Sequence, residues 1–453
     1  MDATAILSKL ELGIPLFQTM PKVRYKRICG TESEFGISNK AGQPVAKFKQ
    51  LPIILSNGGE IYEDVGHVEY ASPECANAAS LVAYYEAGKV LCWNSRLSEK
   101  LYCHNNDWYG NTFGAHENYF TCAPRKEWFR LLPFLVARSI MCGAGWINRE
   151  HKFEITQRAQ YIARAESNST MNDRGIINLR YEPLANVKGW DRLHIICGDA
   201  TMNEVATFLR IGMTSFVIEM LEMGALPDIG YKNEIAVNDF KAISRRTYGW
   251  YLAGVTKGPH DGIELLWLYL NRAKQLFSRR DEITTTVLVI WEATLNKLSS
   301  DPMQLWRRLD WVAKLVILRI FEESEESSTF EWLRSQDMEY HNLNPSEGLY
   351  YHLCQSGEVE RIVSDELIMK ATVEPPTDTR AYVRGKITQQ LEAQGGSRSL
   401  CANGWDHLTV VDVESRRNSD VASSSYLSEP IGNPFETYDG LLEKIKRRLD
   451  KHS

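Results

Sequence analysis

Acidic side chains alternate with apolar ones along three short stretches near the start of the chain, GTESEFGI, EIYEDVGHVEY and ASPEC. This alternation is typical of β-strands, in which side chains two residues apart point to the same side of a sheet. Glu32 and Glu34 therefore share one surface, and Glu60, Tyr62 and Asp64 share another. The pattern favours a fold in which one face of a sheet is lined by carboxylates.

Carboxylates that lie this close together repel one another and raise one another's pKa values unless a cation neutralises them. Glu32, Tyr62, Asp64 and Glu69 would bring four oxygen-bearing side chains onto neighbouring segments. Hard oxygen ligands favour Mg²⁺ or Mn²⁺. We therefore expect a divalent-metal site here, whereas a single acid such as Glu63 is typical of a solvated strand edge.

A turn sequence makes the acidic cluster compact. The segments 52–55 and 60–65 flank Ser56-Asn57-Gly58-Gly59, a composition that closes β-hairpins. We therefore expect the acidic strands to be antiparallel neighbours.

Composition limits the class of protein. The chain has 453 residues, 43% hydrophobic, and a net charge of −6, which gives no electrostatic footprint for nucleic acid. No signal peptide opens it, and the apolar stretch 131–147 is interrupted by Arg138 and too short to span a membrane. Nine cysteines without a CxxC pair indicate reduced thiols. We expect a cytoplasmic protein with no nucleic-acid or membrane partner.

Periodicity predicts an α+β chain with an N-terminal extension over 1–27, a large mixed domain, and a small C-terminal domain entered through a polar linker at 390–399. The predicted helices cover about 76–100, 125–141, 202–223, most of 261–336, and 438–450. Strands are predicted near 117–121, 193–197 and 405–413.

The chain has no GxxxxGK[ST] motif and no convincing GxGxxG after a strand, so the phosphates of a nucleotide must be bound in another way. Metal ions on a carboxylate-lined sheet can bind them, with arginines neutralising the charge that develops during phosphoryl transfer. The candidate arginines are placed beside predicted strands or turns: Arg158, Arg180, Arg192, Arg380 and Arg384. For each of them the alternative is a structural ion pair.

Other residues leave both readings open. The spacing of His67, His104 and His116 matches no zinc site, so these histidines are expected to be core residues or to hydrogen-bond a metal ligand. His116 is also a possible phosphate or substrate contact. Glu74 is a further possible contact. Trp405 is either a core residue or a platform on which an adenine stacks.

The same segments resemble the family of Pup (prokaryotic ubiquitin-like protein) ligases and their sister enzymes, the Pup deamidase/depupylases. The motifs that carry the resemblance run from about residue 28 to 386: GTESEFGI, NGGEIYEDVGHVEYASPEC, GNTFGAHENY, LLPFLVARSIMCGAG, GIINLRYEP, RLHIICGDATMNE, LDWVAK, GLY and PPTDTRAYVRG. GWDHLTVVD and NPFETYDGLLEKI extend it weakly. The resemblance implies an α+β fold similar to the carboxylate-amine ligases related to glutamine synthetase, with a curved antiparallel sheet packed by helices. It also implies a catalytic ATP-binding domain over 28–386 and a small C-terminal domain over 387–453.

The resemblance also implies specific roles: magnesium ligands Glu32, Tyr62 and Glu69, ATP contacts Ser72 and Trp405, and the catalytic carboxylate Asp64. Two departures affect the phosphate geometry. Glu60 stands where the family has an ATP-contacting arginine, and the segment between Asp64 and Glu69 is one residue shorter than in the usual ligase form.

Within the family, the chain resembles the ligase (proteasome accessory factor A type) more than the deamidase. Deamidase-type members carry a long insertion soon after the first strand, for which residues 36–51 leave no room. GNTFGAHENY, LLPFLVARSIMCGAG, EDVG and NPFETYD are also closer to ligase forms.

The implied reaction uses ATP and Mg²⁺ to phosphorylate the side-chain carboxylate of a C-terminal Glu on a small Pup-like modifier, which is then joined by an isopeptide bond to a lysine of a target protein. Lysine must lose a proton before it attacks, and Asp64 is the expected base or ammonium guide. Three alternatives remain: a depupylase or deamidase, a non-catalytic binder of the modifier, supported by Glu60, and a ligase for a small amino acid or amine.

Overall fold

The structure is a computed structural model that describes residues 1–21, 23–38, 53–95, 100–323, 329–395, 398–401, 405–412 and 425–450. The segment 36–51, used above to compare ligase and deamidase, lies mostly outside these residues. So does Pro52.

Strand pairing builds one large sheet and two small ones. The strands are β1 Cys29–Ser38, β2 Ile53–Ile54, β3 Glu60–Asp64, β4 His67–Ala71, β5 Lys100–Tyr102, β6 Ala115–Thr121, β7 Trp146–Ile147, β8 Phe153–Glu154, β9 Arg164–Ser167, β10 Gly175–Asn178, β11 Asp191–Ile195, β12 Arg398–Cys401, β13 His407–Asp412 and β14 Ser425–Pro430. The large sheet has the order β2-β3-β4-β1-β6-β11-β10-β9, with β5 also paired to β1. Its pairs are antiparallel except for β10 with β9.

Helices occupy much of the rest of the chain. They are α1 Ala3–Glu11, α2 Ala78–Asn94, α3 Leu132–Ala137, α4 Ser139–Cys142, α5 Glu204–Glu222, α6 Ala236–Ser244, α7 Gly262–Phe277, α8 Glu282–Ser300, α9 Asp310–Glu323, α10 Phe330–Glu339, α11 Leu349–Gln355, α12 Asp365–Val373, α13 Ala381–Ala393 and α14 Asp439–Asp450.

The single helix predicted over 125–141 is wrong. A 3₁₀ turn over Arg125–Leu131 precedes α3 and α4 instead. Pro133 lies in the first turn of α3, where it lacks an N–H donor and restricts the conformation of Leu132. A new α-helix therefore begins at Leu132. The linker predicted at 390–399 is also partly wrong, because α13 continues to Ala393 and β12 begins at Arg398.

The two faces of the large sheet have opposite character. Phe35, Ile61, Val68 and Tyr70 are buried on one face, where α2 and α5 pack against the sheet. Burial of this face stabilises the sheet by roughly 25 cal/mol for each Å² of apolar surface removed from water. The side chains that alternate with these residues, Glu34 and Glu69 among them, lie on the opposite face. The predicted carboxylate-lined face is therefore confirmed.

Two tight turns set the register of the acidic strands. Gly58, at φ +84°, closes β2 to β3, and Asn57 Oδ1 accepts a hydrogen bond from Gly59 N at 2.9 Å. Val65 and Gly66, at φ +46° and +86°, close β3 to β4 as a two-residue turn. The predicted hairpin chemistry is thus confirmed, and a second hairpin follows it directly.

The C-terminal strands form a smaller core with α13 and α14. Val383 and Ile387 of α13 pack there with Leu408, Val410 and other apolar residues of that region. The predicted boundary at 386 falls inside α13, so this helix belongs to both parts. The three-part division stays a prediction.

Residues of the predicted N-terminal extension pack onto the main body. Ile6 and Leu10 of α1 are fully buried, and α1 packs against α8. Among the described residues, no helix is both long enough and apolar enough to cross a membrane. The eight cysteines with described side chains are all free thiols.

Candidate active site

Glu32 is the centre of a group that we call the histidine cluster: Glu32, His116 and His194. Glu32 Oε2 lies 3.2 Å from His116 Nδ1 and 3.4 Å from His194 Nε2. Strand register produces this, because β6 places His116 opposite Glu32 and β11 places His194 opposite Asn118. Asn118 Nδ2 and Arg192 Nη1 donate to Glu32 Oε1 at 3.0 and 3.3 Å. Glu32 is thus surrounded by donors.

A second group, the carboxylate cluster, consists of Glu34, Asp64 and Glu69. Register again explains it, since Glu69 of β4 lies between Glu34 of β1 and Tyr62 of β3. Carboxylate oxygens of the three acids lie within 4.8 Å of one another. The Tyr62 hydroxyl donates to Glu69 Oε1 at 2.5 Å. This cluster has little positive charge of its own.

The two clusters shift carboxyl pKa values in opposite directions. Burial opposes ionisation of Glu32, but His194, His116 and Arg192 outweigh it and hold the pKa of Glu32 well below its usual range. Burial also opposes ionisation of Glu69, and there the charges of Glu32 and Glu34 add to it, so the pKa of Glu69 lies well above its usual range. Like charges without a nearby cation produce this second pattern.

Both clusters have the chemistry of divalent-cation sites. His194 Nε2 is buried and has no partner with hydrogen-bond geometry, and burial lowers the pKa values of His116 and His194 despite the opposing charge of Glu32, which favours neutral rings able to ligate. Gly114 keeps the space between His116 and Glu34 open, because a Cβ added to Gly114 would collide with the His116 ring and the Glu34 carboxylate. Carboxylate oxygens suit Mg²⁺ or Mn²⁺, and the imidazoles suit Mn²⁺ better than Mg²⁺.

A cleft of about 530 Å³ extends from Glu32 toward the C-terminal part of the chain. Ser72 and Trp405, the predicted ATP contacts, both line it, together with Leu184 and Arg192. Ser72 Oγ accepts a hydrogen bond from Thr31 N at 3.0 Å, which fixes its position. The cleft therefore offers both polar groups, such as Glu32 and Arg192, and apolar ones, such as Leu184 and the Trp405 ring, which suits the phosphates and the base of a nucleotide.

Glu74, Arg380 and Arg384 form a buried clamp, and Glu74 and Arg380 of this clamp line the cleft. Arg380 Nε and Arg384 Nη2 donate to the two carboxylate oxygens of Glu74 at 2.6 and 2.5 Å. Burial would raise the pKa of Glu74, but the two guanidinium groups lower it to about 2. Arg384 also lies over the Trp405 ring, 4.4 Å from its centroid. The clamp thus orients one wall of the cleft.

The expectation that Arg384 lies beside a strand or turn is wrong, because it lies within α13. Glu60, which replaces the family arginine, is buried and lines a small cavity with Arg384 and Trp405.

The remaining candidate arginines differ in their surroundings. Arg192 contacts Glu32 directly and donates to Glu182 Oε2 at 2.9 Å. Arg180 is largely exposed and pairs with Glu182 at 2.7 Å. Arg158 is buried, and the charge of Glu34 is the largest one that favours its cationic form. Arg192 thus belongs to the surroundings of Glu32, whereas Arg158 is influenced chiefly by Glu34.

Two residues of the site were missed by sequence reasoning: His194 and Asn118. Both alternate with core residues on their strands, and RLHIICGD contains the signal for His194, since Arg192 and His194 are two residues apart. The pairing of β11 with β6, which brings them to Glu32, is not visible locally.

The chain matches the family model described as Pup-ligase protein over residues 43–409. It is 35% identical over 395 residues to a depupylase of Acidothermus cellulolyticus, covering 80% of this chain and 76% of the relative. It is 31% identical over 471 residues to a Pup–protein ligase of Acidimicrobium ferrooxidans, covering 94% of this chain and 100% of the relative. The chain therefore belongs to the Pup-ligase family.

Solved structures agree with this assignment. The complex between the prokaryotic ubiquitin-like protein Pup and its ligase PafA matches with a TM-score of 0.81 and 26% identity, covering 95% of this chain and 94% of that chain. The Pup ligase PafA in complex with ADP matches with a TM-score of 0.77 and 27% identity, covering 89% and 91%. These matches confirm the predicted fold class.

Proposed function

We propose that the protein is an ATP-dependent ligase that activates the side-chain carboxylate of the C-terminal Glu of a Pup-like modifier and joins it to lysines of target proteins. One observation carries the proposal: two potential cation sites lie side by side on one sheet face and adjoin a cleft that leads from Glu32 to Trp405. Carboxylate activation by ATP needs this combination, because the transferred phosphoryl group must be held between metal ions and an acceptor oxygen.

Two sets of ligands are proposed for Mg²⁺. Glu32, Tyr62 and Glu69 are predicted from the resemblance, and the geometry favours adding Glu34 to them, whereas His116 and His194 would ligate Mn²⁺ beside Glu32 more readily than Mg²⁺. Tyr62 is a weak ligand in its present state, because burial and the charge of Glu69 raise its pKa and keep its hydroxyl protonated toward that carboxylate. Bound cations would supply charge neutralisation for the phosphate oxygens.

Ser72, Trp405 and Arg192 are proposed to bind ATP. Trp405 would offer its ring to the base, and Arg192, which contacts Glu32, would meet the phosphates. Arg380, Arg384 and Glu74 are proposed to act indirectly, since their charges are already paired with one another. Arg180 is proposed to lie at the edge of the site, where its exposed side chain can contact the modifier.

Asp64 is proposed to prepare the lysine nucleophile. It belongs to the carboxylate cluster yet is more open to solvent than Glu69, so an incoming ammonium group can reach it. The Asp64 carboxylate would accept the proton, and the freed amine would attack the activated carboxyl carbon, releasing phosphate and forming the isopeptide bond. The neighbouring acids favour the cationic form of the lysine on arrival.

A hydrolytic activity is the second candidate, because one of the curated relatives at 35% identity is a depupylase. Length favours the ligase. The match covers the whole ligase relative but only 76% of the depupylase. In the hydrolytic reaction, the same Asp64 carboxylate would activate water instead of an amine.

The decisive experiment mixes the protein with ATP, Mg²⁺, an acceptor protein and a modifier ending in Glu, and follows the acceptor by mass spectrometry. The ligase proposal expects an acceptor-linked mass increase together with ADP. A modifier ending in Gln tests for deamidation, and purified conjugate tests for depupylation. Absence of conjugation with ADP formation, of deamidation and of conjugate cleavage across the arms would contradict catalysis and favour a non-catalytic binder. We infer a cytoplasmic location, which agrees with the free thiols and the need for ATP.

A further inference from the structure

Arg158 is a buried cation, and none of the carboxylates in the described part of the chain pairs with it. Its side chain is 1% exposed. Nη1 donates to Phe113 O at 2.6 Å and to Thr112 Oγ1 at 3.0 Å, and Nη2 donates to Ile196 O at 3.0 Å. Nε is buried and has no hydrogen-bond partner among the described residues. A buried charge in this condition is costly unless something completes its environment.

The guanidinium of Arg158 lies beside the segment that borders Glu34. Arg158 Nη1 contacts the Phe113 carbonyl, Glu34 N donates to Gly114 O at 3.0 Å, and a Cβ added to Gly114 would lie 2.6 Å from Glu34 Oε1. Burial lowers the pKa of Arg158 to about 10, and the charge of Glu34 is the strongest opposing influence. Arg158 is thus a neighbour of the carboxylate cluster.

Asp199 fixes the backbone from which Arg158 projects. Asp199 Oδ2 accepts hydrogen bonds from Ala144 N at 2.8 Å and Gln157 N at 2.9 Å, and Oδ1 accepts one from Arg158 N at 3.2 Å. Asp199 is itself 3% exposed, and its own carbonyl accepts a hydrogen bond from Arg210. One carboxylate therefore joins three backbone donors, two of them in the turn that carries Arg158.

We propose that Asp199 is a positioning residue for the reaction: it sets the direction of Arg158, whose buried guanidinium places positive charge beside Glu34 and the anionic group that reacts there. This inference rests on the proposed function and adds a residue to it. Three peptide donors gathered on one buried carboxylate leave the turn at 157–158 little freedom. The direction of Arg158 depends on this fixed turn, because the side chain contacts only carbonyl and hydroxyl oxygens among the described residues and forms no ion pair with them.

A double-mutant cycle tests the proposal. Asp199→Asn keeps the size of the side chain but replaces one acceptor oxygen with a donor, and Arg158→Gln removes the charge of the partner. For Asp199→Asn we expect kcat/KM for the modifier to fall roughly 10- to 100-fold, as for other residues that orient a site, with the Kd for ATP nearly unchanged. The double variant should be no worse than Arg158→Gln alone, because both changes remove one function.

Asp239→Asn is the matched control. Asp239 is 2% exposed and also gathers three donors, Ala253 N at 2.8 Å, Gly254 N at 2.9 Å and the Tyr231 hydroxyl at 2.8 Å. None of these partners belongs to the proposed site. Asp239→Asn should lower Tm as Asp199→Asn does, leave kcat/KM unchanged at a temperature where both are folded, and combine additively with Arg158→Gln.

The outcomes separate this inference from the proposed function. A wild-type protein that forms neither ADP nor conjugate would overturn both. An active wild type in which Asp199→Asn and Arg158→Gln combine additively, or in which Asp199→Asn weakens ATP binding as much as turnover, would overturn the positioning role alone. If Asp199→Asn does not fold, Thr112→Val removes one acceptor of Arg158 Nη1, and the same lack of additivity with Arg158→Gln is expected for a smaller loss.

Discussion

Glu32 and Glu69 lie on the same face of the same sheet, yet their surroundings are opposite. Glu32 has two histidines, an asparagine and Arg192 around it, and its pKa is lowered because these groups outweigh the effect of burial. Glu69 has two other acids beside it, and both burial and those acids raise its pKa. The comparison teaches that the protein itself supplies positive charge to one carboxylate and, among the described residues, gives the other none, which is the state in which a cation from solution would bind Glu69 most favourably.

This difference suggests a division of labour. The histidine cluster is prearranged, so it can orient a cation and the phosphates next to the cleft. The carboxylate cluster is held in a costly state until a cation or a lysine ammonium arrives, which makes binding of either favourable. The reacting groups would meet between the two clusters.

The largest expected effect comes from Asp64→Asn, which tests whether the open member of the carboxylate cluster does chemistry. Loss of a general base should reduce conjugation roughly 10²- to 10⁴-fold. The Kd for ATP with Mg²⁺ should change little, because Asp64 lies away from the cleft residues. Conjugation followed by mass spectrometry and ATP binding followed by calorimetry measure the two quantities. Equal losses in both would mean that Asp64 only holds metal.

Glu69→Gln tests the claim that the carboxylate cluster takes a cation from solution. Removing one negative ligand should raise the Mg²⁺ concentration needed for half-maximal ADP formation by roughly tenfold or more, since ligand charge sets affinity for hard cations. A magnesium titration of ADP release measures this. Glu63→Gln on the exposed side of β3 is the control and should leave the titration unchanged. An unaltered midpoint for Glu69→Gln would exclude Glu69 as a ligand.

The two carboxyls should also respond to pH with opposite signs in metal-free protein. A carboxyl whose pKa is raised in the folded state binds its proton more tightly there, so its contribution to stability falls as pH rises above its ordinary value of 4.5. Glu69→Gln should therefore raise Tm in EDTA, and the gain should grow from pH 5 to pH 8. Each kcal/mol corresponds to roughly 1–3 °C for a chain of this size.

Glu32→Gln tests the carboxyl whose pKa is shifted in the opposite direction. A carboxyl whose pKa is lowered stabilises the fold above its ordinary pKa and loses that contribution as pH falls through its folded value. Glu32→Gln should therefore lower Tm at pH 7 to 8 and lose this effect only in strong acid. Scanning calorimetry of both variants in EDTA gives the comparison. Shifts of the same sign would contradict the proposed division between the clusters.

The smallest effect is expected for Trp405→Ala, which acts outside both clusters. Loss of one stacked ring should weaken ATP binding roughly 2- to 10-fold. The Mg²⁺ midpoint at saturating ATP should not move. Isothermal calorimetry with ATP measures the first, and ADP release measures the second. A shift of the Mg²⁺ midpoint would mean that Trp405 supports the metal sites rather than the base.

Local patterns predicted the acidic strands well, because a period of two residues and a Gly-rich turn act over short distances. Glu34, Tyr62 and Glu69 fall on one face as expected. The histidine cluster could not be predicted in full, since β11 reaches β6 only through long-range pairing, and nothing near His194 indicates which strand it joins.

The arginines show a second limit. Whether an arginine is paired depends on a residue that is far away in sequence, as for Glu74, which meets Arg380 and Arg384 of α13. The start of α13 was also missed, because no side chain caps it by hydrogen bonding. Arg158, in contrast, is buried without an acid, a state that no sequence pattern indicates.

The central claim is that acidic side chains from adjoining strands hold divalent cations beneath a triphosphate. Anomalous diffraction from crystals grown with Mn²⁺ and a non-hydrolysable ATP analogue tests it most directly. We predict manganese peaks within bonding distance of Glu32 and of Glu69, with the analogue's phosphates between them and its base against Trp405. Manganese bound elsewhere, or a nucleotide that leaves both carboxylates uncontacted by metal, would contradict the account.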